Sequence, residues 1–120
     1  DAAGSLLMHL GSLATTAVVA TPHLLHVVWA NAQFQLTGGQ KTHTARGVDL
    51  AGIARNAGIR RILEPRDEDE FEATCIEALG KEGPWFLLAK VGPEPSQARL
   101  LWDPVLLKYN FMRGIGTLDK

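Results

Sequence analysis

The sequence predicts an α/β fold, a three-layer parallel sheet with helices on both faces. Two observations predict it. Short apolar runs of strand length alternate with longer segments whose apolar residues recur at helical spacing. The last such run, Trp85-Phe86-Leu87-Leu88-Ala89-Lys90-Val91, is apolar almost throughout, as in a strand covered on both sides. Strand, helix, short strand, helix, strand is the order of parallel strands joined by crossovers.

In chain order, residues 1–4 are small and turn-prone, and Ser5 precedes a segment, 6–17, that reads as one helix. Its apolar residues fall nearly all round, which predicts burial on more than one face, and Gly11 and Ser12 within it permit close packing. Thr21-Pro22 closes the segment, because proline disfavours helix in the residue before it. Residues 24–29 read as a buried strand that opens abruptly into a loop of amides, hydroxyls and paired glycines, continuing to Gly47. Helical spacing returns at 48–58, with Gly58 as its stop, and a short strand follows at 61–63. Pro65 then introduces the acidic run Asp67-Glu68-Asp69-Glu70, which suits the positive end of a helix dipole better than it suits a cation site. Phe71, Cys75, Ile76 and Leu79 continue that helix as its apolar face. After the strand at 85–91, Pro93, Pro95 and Pro104 lead to a helix at 105–112. Trp102, Tyr109 and Phe111 are too many aromatics for a solvated tail. The expected division is a domain at 1–91, N-terminally incomplete and lacking its first strand, and an extension at 92–120 whose short helix packs on the domain or on a partner.

With 120 residues, 46% of them hydrophobic, the chain can bury the core of one domain. A formal net charge of −1, with Arg60-Arg61 the only adjacent basic pair, argues against nucleic acid as a partner. The single cysteine, Cys75, excludes an intrachain disulfide and a cysteine-based zinc site, and reads as a small buried hydrophobe. No apolar run has the length of a membrane span and the start lacks a basic n-region, so no membrane partner is expected and the expected compartment is the cytoplasm. Beginning at Asp1 without a methionine, the chain reads as a piece of something longer.

In an open parallel sheet, ligands sit beyond the carboxyl ends of the strands. The loop after Trp29 is such a place. Gly38 and Gly39 allow positive φ and close backbone approach, while Asn31, Gln33 and Thr37 offer oxygen ligands and neutral donors. The turn Ala2-Ala3-Gly4-Ser5 is another, with N–H groups suited to a phosphate. Loops of this composition also follow many α/β strands for reasons of turn geometry alone. Of the histidines, His9 reads as a core residue and His23 and His26 as structural, while His43 lies in a loop that could approach a substrate. No pair of them has metal-ligand spacing.

The two turns together carry a resemblance. Gly4-Ser5-Leu6-Leu7-Met8-His9-Leu10-Gly11-Ser12-Leu13, followed by Asn31 and then Thr37-Gly38-Gly39-Gln40, resembles the diphosphate-binding domain of thiamine-diphosphate enzymes. The branch it is most similar to is that of the phosphonopyruvate and sulfopyruvate decarboxylases, with their Gly-Asp-Gly-Ser-Leu-Leu-Met and Ser-Thr-Gly-Gly-Gln. The likeness continues through Val48-Asp49-Leu50-Ala51, Gly83-Pro84 and Asp103-Pro104 to Lys108 and Phe111-Met112, and so covers most of the chain. It implies thiamine diphosphate and Mg²⁺ as cofactors. Asn31 would be a side-chain ligand of the metal and the carbonyl of Gln33 a second one. Gly4, Ser5 and Leu6 would lie at the diphosphate, and Phe34, Gln35, Leu36 and Thr37 would fold over it. The division suits Mg²⁺, which combines few protein oxygens with phosphates and water.

The departures from the family are as informative. Ala2-Ala3-Gly4 stands where the family has Gly-Asp-Gly, so the anchoring carboxylate is absent, and Asp1 is two residues too early to replace it simply. Ala30 stands where the related enzymes often have Asp, and Gln35-Leu36 replaces a Gly-Ser pair. Cofactor binding by the chain as given is therefore expected to be weak. The strand ahead of the first turn has no counterpart here, and the glutamate that activates the thiazolium belongs to a separate pyrimidine-binding domain or subunit. No catalytic residue is expected in this chain. The resemblance implies the diphosphate-binding part of a 2-oxo acid decarboxylase working in a homo- or hetero-oligomer. The other expectation is a degenerate relative that keeps the fold and subunit interface as a non-catalytic or regulatory partner.

Overall fold

A computed structural model describes residues 1–94, 97–99 and 102–118. Pro95 and the last two positions of the expected extension lie outside the described residues. Three parallel strands form the sheet in the order β1-β5-β4, with β1 at Leu25–Ala30, β4 at Arg61–Leu63 and β5 at Trp85–Lys90. The register pairs Leu25 with Trp85 and Ala30 with Lys90, so β1 and β5 end level with each other. As the central strand, β5 is buried from Trp85 to Ala89, which is why its sequence lacks alternation.

Side-chain direction alternates along a strand, and the core shows which residues face which layer. Val28, Phe86 and Leu88 pack with Leu6, Leu13, Leu50, Ala51, Ala54 and Ile59. This places α1 (Ala3–Leu7), α2 (Gly11–Val19) and α3 (Leu50–Asn56) on one side of the sheet. On the other side Trp29 meets Phe71 of α4 (Glu68–Leu79), ring centroids 5.2 Å apart. The result is the three-layer α/β arrangement with helices on both faces. Phe86 is fully buried at the centre, where truncation to alanine costs about 3–5 kcal/mol.

The helix starts follow from capping chemistry. Asp49 accepts from the Gly52 N–H, Asp67 from the Glu70 N–H, and Asp103 from the N–H groups of Val105 and Leu106, each satisfying donors that the first turn leaves open. The acidic run 68–70 then lies in the first turn of α4, as its dipole favours.

The expected single helix at 6–17 is corrected. It is two helices, broken at Met8, His9 and Leu10, with the N–H of Met8 closing on Ser5 and that of His9 on Leu6. Gly11, with its backbone entropy cost, and Ser12, whose hydroxyl donates to the carbonyl of His9 at 2.9 Å, restart the chain as α2. Burial on more than one face is corrected too, since α2 buries only Leu13 and leaves Val18 and Val19 exposed.

At the outer edge of β1 the first two residues run parallel to it. The amino group of Asp1 donates to the carbonyl of Val27 at 2.7 Å, and the N–H of Trp29 donates to that of Asp1 at 2.8 Å. Ala2 pairs with Trp29 as an isolated bridge. Between β1 and α3 lies a small antiparallel hairpin, β2 (Gln33–Phe34) with β3 (Gln40–Lys41), closed by a 3-10 turn at Gln35–Thr37. The last helix, α5 (Pro104–Gly114), contains no buried residue.

Candidate functional site

The two turns singled out in the sequence meet at the carboxyl end of β1. Pairing of Ala2 beside Trp29 brings the start of α1 level with the end of that strand, so Gly4 and Ser5 stand next to Asn31 and the hairpin. A cavity of about 640 Å³ lies between them, within the range of small-molecule and cofactor sites. Gly4, Ser5, Asn31, Gln33, Phe34, Gln35, Leu36 and Thr37 all line it.

The Asn31 side chain is held on both sides. Its Oδ1 accepts from the Gln33 N–H and its Nδ2 donates to Gln35 Oε1, each at 3.3 Å, a geometry that leaves lone pairs on Oδ1 and on the Gln33 carbonyl for a further ligand. Ala32 between them takes φ +60°, an uncommon conformation for a residue with a Cβ, and its carbonyl is bonded by the Thr42 N–H at 3.0 Å. The glycines behave as their composition predicts. Gly38 at φ +124° and Gly39 at φ +76° turn the chain, and the Gly39 N–H returns to the Phe34 carbonyl at 2.9 Å. Thr37 Oγ1 stands 3.3 Å from Gln40 Oε1, and Gln40 Nε2 donates to the Thr37 carbonyl at 3.0 Å.

From the hairpin, the Phe34 ring lies against Gly4, and Thr42, buried, packs beside it. The Ser5 hydroxyl donates to Asp1 Oδ1, which also accepts the Ala2 N–H. The N–H of Ser5 and that of Leu6 both donate to the Ala2 carbonyl at 3.0 Å. Leu6 is therefore set apart from the other expected site residues: its N–H is committed to the helix and its side chain lies in the core. Ala3 is likewise in the core, 1% exposed, and not on the cavity wall.

Five wall residues escaped the sequence reading: Met8, Trp29, Val91, Gly92 and Glu94. The last three follow β5, far from Asn31 in sequence. The signal was available in principle, because two parallel neighbours that end level deliver their following loops to one edge. Gln33 Nε2 and Gln35 Nε2 donate to the Pro93 carbonyl at 3.0 and 3.3 Å and hold that loop against the hairpin. His43 and His9 do not line the cavity.

His26 sits beneath the first turn with Nε2 3.5 Å from Asp1 Oδ2. Burial, and after it the Asp1 ammonium, push its pKa below the ordinary histidine value. The carboxylate does not reverse this, since it is committed to Ser5 and Ala2 and its charge is offset by the ammonium of the same residue.

No group of three His, Cys, Asp or Glu side chains is placed to hold a metal ion among the described residues. Apart from the Glu94 carboxylate, the donors on the wall are amide, carbonyl and hydroxyl oxygens, a set that fits a hard cation already carried by phosphate oxygens. Residues 3–89 match the family described as thiamine pyrophosphate enzyme, C-terminal TPP binding domain. The chain belongs to this family. The sulfopyruvate decarboxylase subunit beta of Methanocaldococcus jannaschii is 36% identical to this thiamine pyrophosphate domain over 116 residues, which are 96% of this chain and 61% of that protein. The phosphonopyruvate decarboxylase of Streptomyces hygroscopicus is 36% identical over 93 residues, 78% of this chain and 23% of that protein. The sulfopyruvate decarboxylase subunit beta of Methanococcus maripaludis is 30% identical over 116 residues, 96% of this chain and 62% of that protein. The domain thus spans about three fifths of these subunits and under a quarter of the Streptomyces enzyme. Among the described residues no helix is long and apolar enough to cross a membrane.

Proposed function

We propose that this domain is the diphosphate- and Mg²⁺-binding part of a cytoplasmic thiamine-diphosphate-dependent decarboxylase acting on a 2-oxo acid of the sulfopyruvate or phosphonopyruvate type. The observation that carries it is the convergence of Gly4 and Ser5 with Asn31 and Gln33 on one cavity, together with the similarity to sulfopyruvate and phosphonopyruvate decarboxylases. Bound there, thiamine diphosphate supplies the electron sink for loss of CO₂. The protein's share is to hold and orient it. Asn31 Oδ1 and the Gln33 carbonyl offer the metal its protein oxygens. The Gly4 N–H and Ser5 hydroxyl face the diphosphate, the latter on giving up Asp1. The turn at 35–37 folds over it, and Trp29, Met8 and Leu36 screen water.

The name "subunit beta" of two of these relatives supports a second kind of subunit, and a pyrimidine-binding domain or subunit bearing the activating glutamate is its expected nature. The assembled site lies in a homo- or hetero-oligomer, with the extension at 92–120 as part of the contact. The test pairs the chain with such a subunit and measures CO₂ and aldehyde formation from sulfopyruvate and from 3-phosphonopyruvate with Mg²⁺ and thiamine diphosphate. Turnover of either acid is expected. A stable complex without turnover supports the second reading, a non-catalytic partner, which the alanine at position 3 favours. Absence of both complex and cofactor binding sinks both.

A further inference from the structure

We propose that Glu94 supplies the carboxylate missing from the first turn and acts as the anionic protein ligand of the divalent cation that carries the diphosphate. The inference rests on the cofactor site proposed above and adds to it a residue from the opposite wall. Among the described residues lining the cavity, Glu94 is the one carboxylate; Asn31, Gln33, Gln35, Ser5 and Thr37 contribute neutral oxygens. Asp1 is no substitute, since it is bound by the Ser5 hydroxyl and the Ala2 N–H, lies beside His26 and does not line the cavity. Ala3 points into the core.

The position of Glu94 is built rather than incidental. The residue before it is fixed through its carbonyl by the side-chain amides of Gln33 and Gln35, and the backbone of Gln33 is also the expected carbonyl donor. The Glu94 carboxylate lies against Gly92, with Oε2 in the space that a Cβ there would fill. A hard cation prefers a charged oxygen to a neutral one, and a cation between the exposed Glu94 carboxylate and a diphosphate replaces their mutual repulsion with two attractions. The loop after β5 thereby does from one side what the family's aspartate does from the other.

This arrangement has a two-signed signature. With the full chain, Mn²⁺ retention is read by electron paramagnetic resonance in the presence of inorganic pyrophosphate, and metal-free pyrophosphate binding by Trp29 fluorescence. Glu94→Gln is expected to weaken Mn²⁺ retention about tenfold, a loss of the size seen when the shell around a metal is altered, and to strengthen metal-free pyrophosphate binding. Gly92→Ala, which displaces the carboxylate without removing it, is expected to weaken Mn²⁺ retention in the same direction. Retention by Glu94→Gln within about twofold of the parent, a difference of only about 0.4 kcal/mol, overturns the role of Glu94 and leaves the cofactor site standing. Failure of the parent chain to retain Mn²⁺ with pyrophosphate overturns both.

Discussion

A methyl group added at Gly4 would lie 2.5 Å from Cε1 and 2.8 Å from Cδ1 of Phe34, and 3.2 Å from Cγ2 of Thr42. Gly4→Ala is therefore expected to push the hairpin off α1, lowering stability by about 1–3 kcal/mol, the usual cost of overpacking, and weakening thiamine diphosphate binding in parallel; urea unfolding and a cofactor titration check both. At the neighbouring position the direction depends on the ligand. Ala3 is buried among apolar residues, so Ala3→Asp strands a carboxylate and should cost about 3–5 kcal/mol without metal. Binding of Mg²⁺ and thiamine diphosphate at a hundred times Kd should return about 2.7 kcal/mol. An unfolding midpoint that does not respond to Mg²⁺ would refute a metal position beside residue 3. His26 sets the pH response of the same corner. Its pKa is lowered in the folded state, so the unfolded chain takes up the proton first as pH falls through the ordinary histidine value of 6.5. Stability should decline over that window, the penalty being complete below the folded pKa, and His26→Gln should flatten the decline in denaturant midpoints measured from about pH 7.5 to 5.5.

Strand and helix identities were legible where a local signal agrees with tertiary packing. The central strand β5 announces itself by continuous apolar sequence because both faces are covered, and α3, α4 and α5 begin after Asp49, Asp67 and Asp103, whose side chains cap them. The break between α1 and α2 was not legible as a break. Gly11 and Ser12 were visible, but close packing and helix interruption share the same residues, and only the closure at Met8 and His9 decides between them. The end of α2 carries a cost the sequence did not show: Ala20 sits in the left-handed region at φ 49°, ψ 42°. Ala20→Gly should raise stability by about 1 kcal/mol, since glycine has no Cβ to crowd the carbonyl there. Differential scanning calorimetry reads this as a higher midpoint, and a lower one would show that the Ala20 methyl contributes packing greater than its strain.

The whole molecule has a radius of gyration of 16.1 Å, against about 13–14 Å for a compact domain of its length. The excess follows from α5, where Val105, Leu107 and Phe111 are more than half exposed and Trp102 before it is 87% exposed. Leu107→Ser combined with Phe111→Ser should leave the thermal midpoint of the isolated chain within about 2 °C of the parent, because neither side chain is buried by the domain. A clear fall would place the helix against the sheet in solution. The sequence by itself determined the layer order and the three strands of the parallel sheet, though not the hairpin β2–β3, and of the eight residues it named beyond Gly4 seven line the cavity, since each depends on composition within a few neighbours or on a motif kept along the chain. Tertiary structure alone decided that Leu6 and Ala3 face the core, and that Gly92 and Glu94, which follow β5, close the same cavity as Asn31, which follows β1. Pairing between parallel strands is nonlocal: the register Ala30 to Lys90 joins residues that no local periodicity connects, and it is that register which carries a carboxylate to the wall opposite the turn that lacks one.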